Sequence, residues 1–160
     1  MRIIKVMGNE PVNATIGGKY CHFRSQLEYK WAKYLQFLKN SGEIKDWFYE
    51  SLEYRFEGEK IAPYVYRPDF EIHNNDGSWY MQECKGWHDG TTNSKFCRMA
   101  KHYPDVIMEL VLMRIPKNSK GKSKTAHRRA VASKYCRRII DASEIFKQIK
   151  GLVNLEIIVE

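Results

Sequence analysis

The stretch Tyr66-Arg67-Pro68-Asp69-Phe70-Glu71-Ile72-His73-Asn74-Asn75-Asp76-Gly77-Ser78-Trp79-Tyr80-Met81-Gln82-Glu83-Cys84-Lys85 decides the fold. Aromatic and β-branched residues alternate with polar ones from Tyr64 to His73, and Asn74-Asn75-Asp76-Gly77 is a hairpin turn signal leading into Trp79 to Lys85. Two antiparallel strands are therefore predicted. Side chains alternate across a strand, so Glu83 and Lys85 face one layer and Cys84 the other. With Pro68-Asp69 opening the first strand, one hairpin gathers two carboxylates and an ammonium. Paired carboxylates bind a hard divalent cation through oxygen, and a lysine beside them orients the attacking water at a phosphorus centre. The arrangement suits phosphodiester hydrolysis.

Working outward, Trp47 to Phe56 shows the same alternation and makes the group an antiparallel meander. Before it, Leu27, Trp31, Leu35 and Leu38 recur at helical spacing behind a candidate cap at Ser25, and Asn40-Ser41-Gly42 stops them, which predicts a helix over 25–39. Beyond the Gly86 to Gly90 break, Phe96, Met99, Ala100 and Tyr103 predict a second helix over 93–103. Val106 to Ile115 is nearly all apolar, as expected of a strand covered on both faces. A strand, a helix and a strand in succession imply a crossover, so the expected class is α/β (α+β) with a mixed central sheet flanked by helices. At the ends, a leading strand Ile3 to Met7, helical sequence from Ala126 to Lys150 with a break at Asp141, and a closing strand Leu155 to Val159 are expected.

A chain of 160 residues fits one domain over 1–160, and its four Trp, ten Tyr and seven Phe furnish a core. No apolar run is long enough for a membrane-spanning helix and the first eight residues lack the pattern of a signal peptide, so a cytoplasmic location is expected. Cys21, Cys84, Cys97 and Cys136 form no C-x-x-C pair and read as free, buried thiols. The 27 Lys and Arg against 19 acids give a formal charge of +8, which favours a polyanionic partner. The excess is local: the 22 residues from Lys117 to Arg138 hold nine Lys or Arg and no acid. That composition favours phosphate contacts over a merely mobile, solvated loop, with Lys120, Lys122, Lys124, Arg128 and Arg129 as DNA-binding candidates.

Each candidate has a plainer reading beside it. Glu-x-Lys occurs three times, at Glu28, Glu43 and Glu83, and only the last closes a strand that pairs with a Pro-Asp strand. Even there, Glu83 and Lys85 could be a cross-strand ion pair and Pro68-Asp69 a turn. Ser25-x-x-Glu28 is a capping box, although Glu28 borders the apolar stripe of its helix and could add a third carboxylate. Lys95 and Lys101 either line a DNA groove or form the solvated face of their helix. His88, three residues after Lys85, reads most simply as an ordinary loop histidine.

In order, Phe23-x-Ser25-x-x-Glu28, Gly42-Glu43-Ile44, Tyr49-Glu50, Tyr66-x-Pro68-Asp69-Phe70 and Glu83-x-Lys85-Gly86 resemble the motifs of the PD-(D/E)XK nuclease superfamily. Within it the chain looks most like phage Holliday-junction resolvases of the endonuclease I type and a related phage family of uncharacterised nuclease-like proteins. The resemblance covers Gly17 to Ile115, leaving the basic loop and C-terminal helices of 116–160 outside. It implies a core of helix, three antiparallel strands, helix and strand, with Asp69, Glu83 and the Cys84 backbone carbonyl binding Mg²⁺ or Mn²⁺. Lys85 would assist the attacking water, and Glu28 would hold a second metal ion or its water. The RecB-like branch is disfavoured, because no Gln lies between Lys85 and Gln148. A homodimer is implied by analogy, and Glu57 to Pro63 is a polar insertion in the segment that such dimers exchange.

The sequence thus reads as a metal-dependent DNA endonuclease acting on branched DNA. The alternatives are a site-specific or end-directed nuclease of the same superfamily, of restriction, repair or transposon-end type, and a catalytically inert DNA-binding protein on this fold.

Overall fold

The computed structural model describes residues 10–116 and 124–149. A hairpin of β1 (Val12–Ile16) and β2 (Lys19–Phe23) precedes helix α1 (Gln26–Asn40). Then come β3 (Asp46–Tyr49), the short pair β4 (Tyr54–Arg55) and β5 (Val65–Tyr66), and the hairpin of β6 (Phe70–His73) and β7 (Trp79–Lys85). Helix α2 (Gly90–His102) crosses over to β8 (Met108–Leu112), and α3 (Lys124–Ala132), β9 (Ile139–Asp141) and α4 (Ala142–Gln148) follow. The five-stranded central sheet has the order β3-β6-β7-β8-β9. Its β3, β6 and β7 are antiparallel neighbours, whereas β7, β8 and β9 run parallel. The protein is α+β with a mixed sheet.

Sequence alternation explains how each face is covered. On β7, Tyr80 and Cys84 turn toward α1, β1, β2 and α4, where they join Trp31, Leu35, Trp47, Phe70 and Val111. Met81 turns the other way, toward Phe96 and Met99 of α2 and Ala132 of α3. All five residues of β8 are buried, as a strand covered on both faces requires. No helix among the described residues is long and apolar enough to cross a membrane.

Several predicted boundaries are corrected. The strands expected over 47–56 and 64–73 are each broken. Glu50 takes a positive φ of 46°, which ends β3, and Pro68, which has no amide hydrogen, separates β5 from β6. Helix α2 starts three residues early because the Asp89 carboxylate accepts from the Thr92 amide at 3.1 Å. The helical region expected from Ala126 to Lys150 is divided by β9 as well as broken at Asp141, which ends β9 and caps α4 by accepting from the Glu144 amide. Of the four free cysteines only Cys84 and Cys136 are buried, while Cys97 is exposed. The strands expected over 3–7 and 155–159 and the segment 117–123 lie outside the described residues.

The sequence reading does not anticipate the β1–β2 hairpin. Its loop is Gly17-Gly18 with φ of 56° and 75°, the two successive positive values of a type I′ turn. A Cβ on Gly17 would stand 2.1 Å from Gln36 Oε1. That oxygen already accepts from Trp47 Nε1 at 2.9 Å in the core. Gly17→Ala combines a left-handed backbone with displacement of this bond, so a loss of about 1–3 kcal/mol is expected in urea unfolding. An unchanged midpoint would mean that Gln36 moves aside freely.

Candidate active site

The site forms where β6 and β7 meet the start of α1. Asp69 is clamped immediately before β6: its carbonyl accepts from the Glu50 amide at 2.9 Å, and its Oδ2 from the Cys84 amide at 2.7 Å. It is 7% exposed. Glu83, 2% exposed, lies on β7 with Lys85 on the same face, as alternation demands. The Tyr66 hydroxyl donates to Glu83 Oε2 at 2.8 Å, and Lys85 Nζ stands 3.1 Å from Oε1. Lys95 of α2 reaches the same oxygen at 3.8 Å and sits 5.1 Å from the Tyr66 ring centroid.

Glu28 enters from the opposite layer. Its amide donates to Ser25 Oγ at 3.2 Å, and its Oε1 accepts from that hydroxyl at 2.9 Å, so the Ser25 half of the expected capping box is present. Glu28 Oε2 reaches the Arg24 amide at 2.9 Å, rather than that of the cap itself, and accepts from the Tyr49 hydroxyl at 2.7 Å. Capping does not remove the charge from the site: Glu28 is among the carboxylates that act on Asp69 and Cys84.

Burial, then the charges of Glu83 and Glu28, drive the Asp69 carboxyl well above the ordinary carboxylate range. Burial would pull the Lys85 ammonium down, but Glu83 and Asp69 outweigh it and hold Lys85 above the usual lysine value. Lys85 is therefore a cation, suited to stabilising negative charge and not to removing protons. The Cys84 thiol is pushed well up by burial and by Asp69, so it stays neutral, and only its backbone has a use here.

An oxygen-only, anionic and buried donor set in which two glutamates raise the proton affinity of Asp69 is what a hard divalent cation relieves. Among the described residues, no three His, Cys, Asp or Glu side chains stand together as a ready cluster. Glu28 is drawn toward Ser25, Arg24 and Tyr49, and Glu83 toward Tyr66, Lys85 and Lys95. Beside them opens a cleft of about 630 Å³ whose walls include Arg24, Gln26, Glu28, Lys85, Trp87 and Met113.

The remaining candidates separate. Lys95 is drawn into the acidic site, whereas Lys101 pairs with Glu59 at 2.6 Å, fastening the 57–63 insertion to α2. Arg128 Nη1 donates to the His88 carbonyl at 3.1 Å, which ties α3 to the loop after Lys85. Arg129 lies one residue on, and both charges act on His88. Lys124 opens α3, while Lys120 and Lys122 lie outside the described residues. His88 is not an ordinary surface histidine: it is 4% exposed, bonded through Nε2 to Asn93, and its Nδ1 is buried without a partner. Burial and the neighbouring arginines lower its pKa.

Sequence reasoning assigns no role to Tyr49 and Tyr66, the hydroxyls that hold the two glutamates. Tyr66 carries a local signal, three residues before Asp69 in the Tyr66-x-Pro68-Asp69-Phe70 motif. Tyr49 meets Glu28 across 21 residues of chain, where no spacing rule applies.

No curated protein and no solved structure matches the chain. A family model described as "Protein of unknown function (DUF1064)" matches residues 13–120, from the β1–β2 hairpin through β8, and so takes in Glu28, Asp69, Glu83, Lys85 and Trp87. With more than half of its length matched, and with every residue of the acidic site inside the match, the chain belongs to the DUF1064 family.

Proposed function

We propose that this protein is a metal-dependent endodeoxyribonuclease of PD-(D/E)XK type, cutting branched DNA as a homodimer. The observation that carries the reading is the buried pair Asp69 and Glu83 with Lys85 ion-paired at 3.1 Å, all on one hairpin and within reach of the charge on Glu28. Asp69, Glu83 and the Cys84 carbonyl would hold Mg²⁺ or Mn²⁺. When bound, the ion supplies acidification of water and neutralisation of charge at the phosphoryl group. The chain's own residues do the rest. The Cys84 amide fixes Asp69, while Tyr66 and Lys95 fix Glu83. The Lys85 ammonium offsets negative charge growing on the phosphoryl oxygens, and Glu28, oriented by Tyr49 and Ser25, accepts a hydrogen bond from water entering the cleft.

Incubation with Mg²⁺ and linear, flapped and four-way DNAs tests the proposal, together with sedimentation for mass. Cutting of the branched forms by a dimer is expected, because a twofold protein presents one site to each of the two equivalent strands of a junction. A monomer that cuts linear duplex equally well would favour a site-specific or end-directed nuclease. One observation favours an inert DNA-binding protein: Lys85 and Lys95 together already neutralise Glu83. Tight DNA binding with no cutting in Mg²⁺ or Mn²⁺ would select that reading.

The basic segment makes a separate prediction. Neutralising Lys120, Lys122, Lys124, Arg128 and Arg129 should weaken DNA binding and flatten the slope of log K against log salt by about 0.9 for each phosphate that the protein no longer neutralises. An unchanged slope would exclude these residues from the interface.

A further inference from the structure

Two of the four tryptophans, Trp31 and Trp47, are buried in the core, whereas Trp87 is 71% exposed. An indole left in water forgoes a large burial gain, and this one stands in the wall of the cleft, two residues beyond Lys85. The same cleft is lined by Arg24, whose guanidinium pairs with Glu50 at 2.6 Å, by Lys85, whose ammonium pairs with Glu83 at 3.1 Å, and by Glu28. A flat aromatic face beside cations is the pairing by which single-stranded nucleic acid is held: the base stacks and the phosphate meets the charge. Two residues apart in the chain, Lys85 and Trp87 have Cα atoms no more than about 7 Å from one another. A base resting on Trp87 is therefore held in the same cleft as a phosphate facing Lys85.

Resting on the nuclease reading, we infer that Trp87 is a stacking platform for an unpaired nucleobase next to the scissile phosphate, so the substrate class is DNA with a splayed or single-stranded nucleotide at the cut. In continuous duplex both faces of each base are occupied by its neighbours, and Trp87 finds nothing to stack on. Flaps, frayed ends and branch points offer such a base. The platform selects by exposed base faces and not by sequence, because every base has one.

The test is a binding measurement in EDTA, where no cutting occurs. A single strand of about 12 nucleotides should quench the fluorescence of the wild-type protein, and Trp87→Phe should abolish most of the quench while keeping most of the affinity, since a phenyl ring still stacks. Trp87→Ala should weaken single-strand and flap binding by about 5- to 150-fold, the equivalent of one base–aromatic stack, and leave blunt-duplex affinity unchanged. Unchanged melting temperatures of both variants, expected for so exposed a side chain, exclude misfolding. Single-strand affinity retained in Trp87→Ala, or equal loss for blunt duplex, would overturn the platform. Intact quenching in a protein that cuts no DNA in either Mg²⁺ or Mn²⁺ would refute the nuclease reading and leave the platform standing.

Discussion

Asp69→Asn is expected to lose hydrolysis by at least about 10³-fold, the upper end of what one electrostatic group in a reacting site contributes, and at the same time to make the protein more stable. The two effects share a cause. Burial and the charges of Glu83 and Glu28 raise the folded-state pKa of Asp69 well above that of an unfolded aspartate, so between those values the folded chain binds more protons than the unfolded one. Stability therefore falls as pH climbs from the unfolded value near ~3.9 through the raised folded value. Asn carries no charge, and its side-chain oxygen still accepts from the Cys84 amide, the 2.7 Å bond that fixes the residue. The variant should gain about 1–2 kcal/mol near neutral pH, or roughly 2–8 °C in Tm, and lose this part of the pH slope. Mg²⁺ should raise the Tm of the wild-type protein by binding the folded state, and much less so that of Asp69→Asn. DNA affinity in Ca²⁺ should be nearly intact, since contacts elsewhere carry it. Wild-type cutting rates, or a Tm below wild type, would remove Asp69 from the site.

The hairpin that holds this site is the most legible part of the sequence, for a physical reason. Period-two alternation around an Asn-Asn-Asp-Gly turn leaves one register with a buried face, and β7 runs from Trp79 to Lys85 as the pattern requires. Helix α1 is equally plain, because Ser25, the Leu27-Trp31-Leu35 stripe and Asn40-Ser41-Gly42 agree on its ends. Legibility fails where the deciding contact is distant. The hydroxyl of Tyr49 and the ammonium of Lys95 reach the carboxylates across folds of the chain that no local pattern encodes. The β1–β2 hairpin is a different failure: Gly17-Gly18 between two alternating runs is a readable two-residue turn, obscured because each run is short and only half apolar.

The basic run from Lys117 to Arg138 reads as a surface for phosphate, and its last two members serve another purpose. Glu109 of β8 is 0% exposed and accepts from Arg137 at 2.8 and 2.5 Å and from Arg138 at 2.8 and 3.3 Å. Its remaining partner is Gln82 Nε2 at 2.8 Å, and Gln82 Oε1 accepts from Trp31 Nε1 in turn, so a polar chain runs from α1 through β7 to β8. Arg137 also lies over the Tyr80 ring at 4.6 Å. Both arginines are about half exposed and can return to water, but Glu109 cannot. Replacing the two together by Ala should therefore cost about 3–5 kcal/mol, the penalty of an uncompensated buried charge and a large share of a stability of roughly 5–15 kcal/mol. Adding Glu109→Gln to that pair should recover at least half of the loss, because an amide in the same place carries no charge and can still accept from Gln82. Urea midpoints of the wild-type, double and triple variants measure this directly. A double variant that unfolds at the wild-type midpoint but binds DNA more weakly would return Arg137 and Arg138 to the phosphate-binding surface.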